Sequence, residues 1–183
     1  MSKAVLNINT ADLKGTLATG FINLDITTAR ILSTNAVQNT TEGGVPDGNT
    51  APILARVNGA TDIALRLTWA ATVVAELQFA PIAKPADMSG AAQAVLHLMM
   101  AKDANTDTSA VVAAKIFDGV GDTNAGGNTA ALAVATLAEY TVPIAAADLA
   151  DPPGFLNIAL VPGTHANDAI YLYAAWIEYT RAA

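Results

Sequence analysis

In the stretch from Asp62 to Trp69, the apolar residues Ile63, Leu65, Leu67 and Trp69 alternate with more polar neighbours. That period of two is what a strand with one buried face requires. Runs of strand length recur along the chain at Thr72 to Phe79, Gln93 to Lys102, Ala110 to Asp118, Ala130 to Thr136, Glu139 to Ile144, Phe155 to Val161 and Ile170 to Thr180. They are separated by turn-forming clusters, among them Pro81 to Pro85, Asp103 to Asp107 and Gly119 to Asn128. The pattern predicts an all-β domain over residues 60–183. The Cys-Trp-Cys spacing of immunoglobulin domains is missing and no long internal repeat is visible, so the expected architecture is an eight-stranded jelly-roll β-sandwich.

Residues 1–59 read differently. Thr and Asn are scattered through them and the apolar positions keep no sustained period, so they are expected to form an extended N-terminal arm. A short helical turn is expected within Asp25 to Leu32, with Asp25 as its N-cap and Ile31 and Leu32 facing the body. Thr40 to Asn49 holds three Gly, one Pro and several turn formers, the composition of an exposed loop.

Alanine complicates the reading, because its 40 copies favour helix over strand. The conflict is sharpest at Ala130 to Leu149. A helix there would carry Pro143 in its interior at a cost of about 3 kcal/mol, beside β-branched Thr141, Val142 and Ile144, so strands are expected instead. On the last strand, strict alternation puts Tyr171, Tyr173, Ile177 and Tyr179 on one face and Leu172, Ala174, Trp176 and Glu178 on the other. Bulky groups on both faces imply a strand covered on both sides.

Composition narrows the function. Hydrophobic residues are 52% of the 183 and charged residues only 14%, which excludes wholesale disorder and suits a surface that packs against copies of itself. A net charge of −7 gives no cationic stripe for phosphates, so nucleic acid is not an expected partner. Without cysteine there are no disulfides, thiolate metal sites or cysteine nucleophiles. The N-terminus does not resemble a secretory signal, and the uncharged stretches are too short and too interrupted to span a bilayer.

Motifs that carry chemistry fail on inspection. Asp103-Ala104-Asn105-Thr106-Asp107 starts like a calcium loop, but Thr108 stands where glycine is needed and Ala114 where a bidentate glutamate should close the shell. A strand-connecting loop is expected there, and a glycine-rich turn around Asp118, Asp122 and Asn124. Gly119-Val120-Gly121 lacks the third glycine of a dinucleotide fingerprint, and Ser89 lacks the glycine that leads a nucleophile elbow. His97 is expected to point outward between inward Leu96 and Leu98. His165, with Asn167 and Asp168, is expected to brace a turn or meet a partner, no nucleophile being identifiable beside it. Glu76, Glu139 and Glu178 each interrupt an apolar run and are the carboxylates a glycosidase could pair. No catalytic residue, metal site or cofactor is assigned.

Four segments together resemble a known family: Gly20 to Arg30 (GFINLDITTAR), Asn49-Thr50-Ala51-Pro52, Lys84-Pro85-Ala86-Asp87, and Pro162 through Tyr179 around His165-Ala166-Asn167-Asp168-Ala169. The order of these structural signals is similar to that of tailed-bacteriophage virion proteins, the small jelly-roll proteins that decorate or cement capsids and are often trimeric. The resemblance implies a non-enzymatic bacteriophage capsid decoration protein on the virion surface. It would form a homotrimer and bind the major capsid protein without touching membrane or nucleic acid. Its candidate interface or packing residues are Phe21, Ile26, Arg30, Trp69, His165, Asp168, Tyr171, Tyr173, Trp176 and Tyr179. The alternatives are a tail or fibre-base adaptor, a carbohydrate-binding β-sandwich for host attachment that stacks sugars on Tyr171, Tyr173 or Trp176, and a glycoside hydrolase.

Overall fold

The computed structural model describes residues 19–33, 36–38, 52–58, 63–104, 106–117, 126–132, 136–149 and 154–182. Within them the chain forms β1 (Thr19–Leu24), β2 (Arg30–Ser33), β3 (Ala36–Gln38), β4 (Ile53–Asn58), β5 (Ile63–Trp69), β6 (Leu77–Gln78), β7 (Ile82–Ala83), β8 (Ala94–Lys102), β9 (Val112–Phe117), β10 (Ala138–Ile144), β11 (Phe155–Pro162) and β12 (Ile170–Thr180). Two short 3-10 turns, Ile26–Thr28 and Ala146–Leu149, complete the described elements. The chain is an all-β sandwich of two antiparallel sheets.

The first sheet is built around β12. Ile170 to Leu172 and Ala174 to Tyr179 pair with β8, and β10 lies beyond β8. Its other edge is shared: Ile170 to Leu172 pair with β5, whereas Ala175 to Thr180 pair with β1. β4 lies outside β5. The second sheet is built around β11, with β9 on one edge and β7 and β6 on the other, followed by β2 and then β3.

Alternation explains the core. Ala94, Leu96, Leu98 and Met100 of β8, with Tyr140, Val142 and Ile144 of β10, point inward from the first sheet and are buried. Val112, Ala114 and Ile116 of β9, with Leu156, Ile158 and Leu160 of β11, meet them from the second, and all belong to one hydrophobic cluster. Buried Ala29, Ala94, Ala110, Ala114 and Ala175 put a methyl group where a longer side chain would hold the layers apart. Alanine therefore serves close packing here, not helix formation. Pro143 lies in β10, exposed and opposite Val95. Among the described residues β10 pairs only with β8, and an edge strand is where a residue without an N–H is tolerated.

Three expectations need correction. The described parts of residues 1–59 are not an extended arm: β1, β2, β3 and β4 are ladder strands of the two sheets, because their backbone groups complete the edges of β12, β6 and β5. Twelve strands are therefore described where eight were expected. Thr72 to Phe79 and Ala130 to Thr136 are also not continuous strands. The first has only Leu77–Gln78 in a ladder, and the described part of the second is irregular chain held to the segment leading into β9 through Leu132 N–H donating to Ala110 O. The Asp25 cap is as expected: its carboxylate accepts the Thr27 N–H at 2.9 Å and the Thr27 hydroxyl at 2.7 Å. The turn is one of three residues, and the chain re-enters a strand at Arg30. The expected Thr40 to Asn49 loop and most of the Gly119 to Asn128 turn lie outside the described residues.

Candidate functional site

Among the described residues, the outer face of the first sheet carries partly exposed Phe21, His97, Tyr171, Tyr173 and Trp176 together with Arg66, Glu139 and Glu178. A break in β12 makes this possible. The register with β8 runs Leu172 opposite Met100 and then Ala174 opposite Met99, so Tyr173 is an extra residue, a β-bulge. Beyond it the parity is reversed: Ala175, Ile177 and Tyr179 are buried, whereas Trp176 and Glu178 turn outward with Tyr171. The expected separation of Tyr171 from Trp176 onto opposite faces is thereby corrected.

Trp176 and His97 are cross-strand partners on β12 and β8. Their rings are 5.0 Å apart between centroids and 7° from parallel. That separation matches the spacing of adjacent strands, so both rings stand on edge above the sheet with their faces together. His97, outward as expected, is held by a carboxylate at each nitrogen. Glu139 Oε1 of β10 lies 2.5 Å from Nδ1, and Glu178 Oε2 of β12 lies 3.3 Å from Nε2. The Nε2 contact is at ion-pair distance without hydrogen-bond geometry. The His97 side chain is only 12% exposed, but Glu139 and Glu178 are 47% and 41% exposed.

His97 covers one face of Trp176, and the opposite face turns toward β1. There Trp176 is paired with exposed Asn23, and Glu178 with Phe21, which is 62% exposed. An indole face, an amide, an exposed phenyl ring and two carboxylates thus converge over β1, β12, β8 and β10. Tyr171 and Tyr173 are arranged differently. The Arg66 guanidinium lies 3.6 Å over the Tyr171 ring and donates to the Tyr173 hydroxyl at 3.2 Å. Burial, and then the nearby Asp103 carboxylate, push the Tyr171 phenol up. Arg66 therefore occupies the Tyr171 ring face that was expected as a sugar platform.

His165 and Asp168 belong to a buried clasp at one end of the sandwich. His165 Nδ1 lies 2.7 Å from Gly163 O and Nε2 lies 3.1 Å from Ala70 O. The ring thus ties its own turn to the end of β5, the bracing role expected of it. Asp168 and Lys102 are both fully buried and 3.2 Å apart. Asp168 also accepts the Thr106 and Asp107 N–H groups, while Asp107 accepts the Asn167 and Asp168 N–H groups in return. Burial pushes the Asp168 carboxyl up, but hydrogen bonds from the Asp107 amide, Lys102 and the Thr106 amide outweigh it and hold the group below the ordinary carboxylate value. The Asn167 amide, more than any other donor, holds Asp107 low as well. With Asp103 accepting the Ala169 N–H, the Asp103 and Asp107 carboxylates of the expected strand-connecting loop accept from backbone amides.

The remaining sequence candidates are dispersed. Ile26 and Trp69 are core residues, with Trp69 Nε1 donating to Ala75 O. Tyr179 is buried beneath Gly20 and donates to Asp87, so these three are packing residues within the chain. Arg30 lines a shallow groove of about 410 Å³ with Thr28, Gln78, Phe79, Ala80 and Pro81. Glu76 is paired with Lys115. Of the expected residues, only Phe21 and Trp176 come together at the outer-face site, with Tyr171 and Tyr173 farther along β12. Asn23 and the joint role of His97, Glu139 and Glu178 were missed. The outward parity of His97 was the available signal.

No protein-family model matches the chain, and no curated protein matches it. Among solved structures it is similar to a xylan-binding module, CBM15, at 12% identity and a TM-score of 0.56, over 90% of this chain and 99% of that one. This likeness is one of fold, a β-sandwich. CBM29_1, a family 29 carbohydrate-binding module from Piromyces equi, aligns at 10% identity and a TM-score of 0.42, over 88% of this chain and 91% of that one. A family two carbohydrate esterase from Cellvibrio japonicus aligns at 10% identity and 0.42, over 89% of this chain and 34% of that one.

Proposed function

We propose that this chain is a non-catalytic β-sandwich that binds oligosaccharide across the outer face of its first sheet. The observation that carries the reading is the Trp176 ring, fixed on edge by His97 on one side and facing exposed Asn23 and Phe21 on the other. A sugar ring offers an apolar C–H face and a rim of hydroxyls. The indole and phenyl faces suit the first, and the Asn23 amide and the Glu139 and Glu178 carboxylates suit the second. His97 and the two carboxylates fix Trp176 before a ligand arrives, so little side-chain entropy remains to be lost on binding. The fold shared with a xylan-binding module supports the same reading.

The test is retention in affinity gels cast with neutral and charged polysaccharides. The wild-type chain is expected to be retarded by at least one of them, and Trp176→Ala to migrate freely while still unfolding in one cooperative thermal transition. Equal migration of the two proteins in every gel overturns the proposal.

A second reading is favoured by one observation. The segment Gly20 to Arg30, part of the resemblance to phage capsid decoration proteins, presents Phe21 to solvent at 62% exposure, an apolar group suited to a contact with a capsid protein or another copy. Under this proposal the chain co-purifies with phage particles as a trimer and Phe21→Ser releases it. A monomer absent from particles excludes it.

A further inference from the structure

We propose that the Trp176 face selects amino sugars, binding glycans that carry a protonated amine in preference to neutral ones and disfavouring those that carry carboxylates. The inference rests on the oligosaccharide-binding reading and deepens it. It starts from the carboxylates. Glu139 directs Oε1 and Glu178 directs Oε2 at His97, and among the described residues neither makes another hydrogen bond or ion pair. Glu139 Oε2 and Glu178 Oε1 therefore remain as acceptors on side chains that are nearly half exposed, on either side of the His97–Trp176 stack.

His97 anchors both carboxylates, and it is the single group of possible positive charge beside Trp176 among the described residues. The other outward side chains of β1, β8, β10 and β12 there are Thr19, Phe21, Asn23, Val95, Met99, Thr141, Pro143 and Ala174, all uncharged. The Arg66 guanidinium, farther along the face, is engaged by Tyr171 and Tyr173. A ligand ammonium would thus find one or two charge-assisted acceptors, whereas a ligand carboxylate would find like charge and no described cation free to meet it. The net charge of −7 acts in the same direction at long range.

The experiment is titration calorimetry with three short soluble oligosaccharides: a β-1,4-glucosamine oligomer, the β-1,4-glucose oligomer of the same length, and a galacturonate oligomer. The first two differ only at C2, amine against hydroxyl. At low salt the wild-type chain is expected to bind the glucosamine oligomer about tenfold more tightly than the glucose oligomer, the scale of one added charge-assisted hydrogen bond, and the galacturonate oligomer most weakly. The double variant Glu139→Gln, Glu178→Gln keeps oxygens to accept from a His97 N–H. It is expected to lose the amine preference, read as the ratio of its affinities for the glucosamine and glucose oligomers, which should fall to about one. Asp148→Asn, a carboxylate removed outside this face, should leave the preference intact and so separates site recognition from general attraction to a polycation.

Equal affinity for the glucosamine and glucose oligomers, tighter binding of the galacturonate, or an unchanged preference in the double variant overturns the inference while leaving oligosaccharide binding in place. No binding of any of the three oligomers overturns the inference, and the affinity gels decide oligosaccharide binding separately.

Discussion

His97 and Trp176 stand side by side across the β8–β12 ladder with ring centroids 5.0 Å apart and planes 7° from parallel. The pair is cross-strand, outward-facing and backed by buried Leu96, Leu98, Ala175 and Ile177, so either ring can be removed without opening the core. A double-mutant cycle of His97→Ala and Trp176→Ala, read by urea unfolding, is therefore expected to give a coupling energy of about 0.5–1.5 kcal/mol. Strictly additive single-variant effects would mean that the two rings do not hold one another.

The Lys102–Asp168 clasp makes stability depend on acid. Asp107 and Asp168 are held below their ordinary value of 3.8 in the folded chain. A carboxyl with a depressed folded pKa stabilises the fold above its unfolded value, and that contribution is lost as pH falls through the folded value. The urea midpoint is thus expected to be flat with respect to these two groups well above pH 3.8 and to fall below it. Asp107→Asn should lower the midpoint at neutral pH and flatten its acid dependence. An unaltered acid limb in that variant would exclude Asp107 from the clasp's pH response.

The sandwich was legible in the sequence because strand parity is local. Leu96 and Leu98 inward, His97 outward, and Pro143 in a strand followed from alternation and from the cost of a helical proline. The outer-face site was legible only in fragments. Alternation assumes an unbroken pleat, and the bulge at Tyr173 inserts one residue with no Gly or Pro to mark it, so Trp176 was assigned to the wrong face relative to Tyr171. β1 reads as an arm because its pairing with β12 joins residues more than 150 positions apart, and a chain finished by so distant a partner needs no periodicity of its own.

Gly20 shows how closely β1 lies on β12. A Cβ placed on it would come within 2.1 Å of Tyr179 Cζ, the ring whose hydroxyl donates to Asp87 at 3.0 Å. Gly20→Ala must displace either the strand or the buried ring, and a loss of about 1–3 kcal/mol is expected in thermal or urea unfolding. Adding Tyr179→Leu should recover part of the Gly20→Ala loss by removing the ring. If the single variant is as stable as the wild type, β1 does not sit on Tyr179 in this register.

Thr72 is the one described non-glycine residue with positive φ, at 71°. It follows Ala71 in a turn closed by Val73 N–H donating to Ala70 O at 3.0 Å, so it holds the third position, where a type II turn wants glycine. A β-branched side chain is poorly suited to that conformation, at a cost of about 1–2 kcal/mol. The strain is held in place because the Thr72 N–H donates to His165 O at 2.9 Å while His165 Nε2 reaches back to Ala70 O, binding the turn to the clasp from both sides. Replacing Thr72 by glycine relieves the strain but frees the unfolded backbone, which offsets about 0.5–1 kcal/mol of the gain. Thr72→Gly is therefore expected to raise the unfolding free energy by up to about 1 kcal/mol, and Thr72→Val to leave it near the wild-type value, since valine meets the same backbone strain. A large loss on Thr72→Gly would show that the threonine side chain, and not the backbone hydrogen bonds to His165, secures the turn.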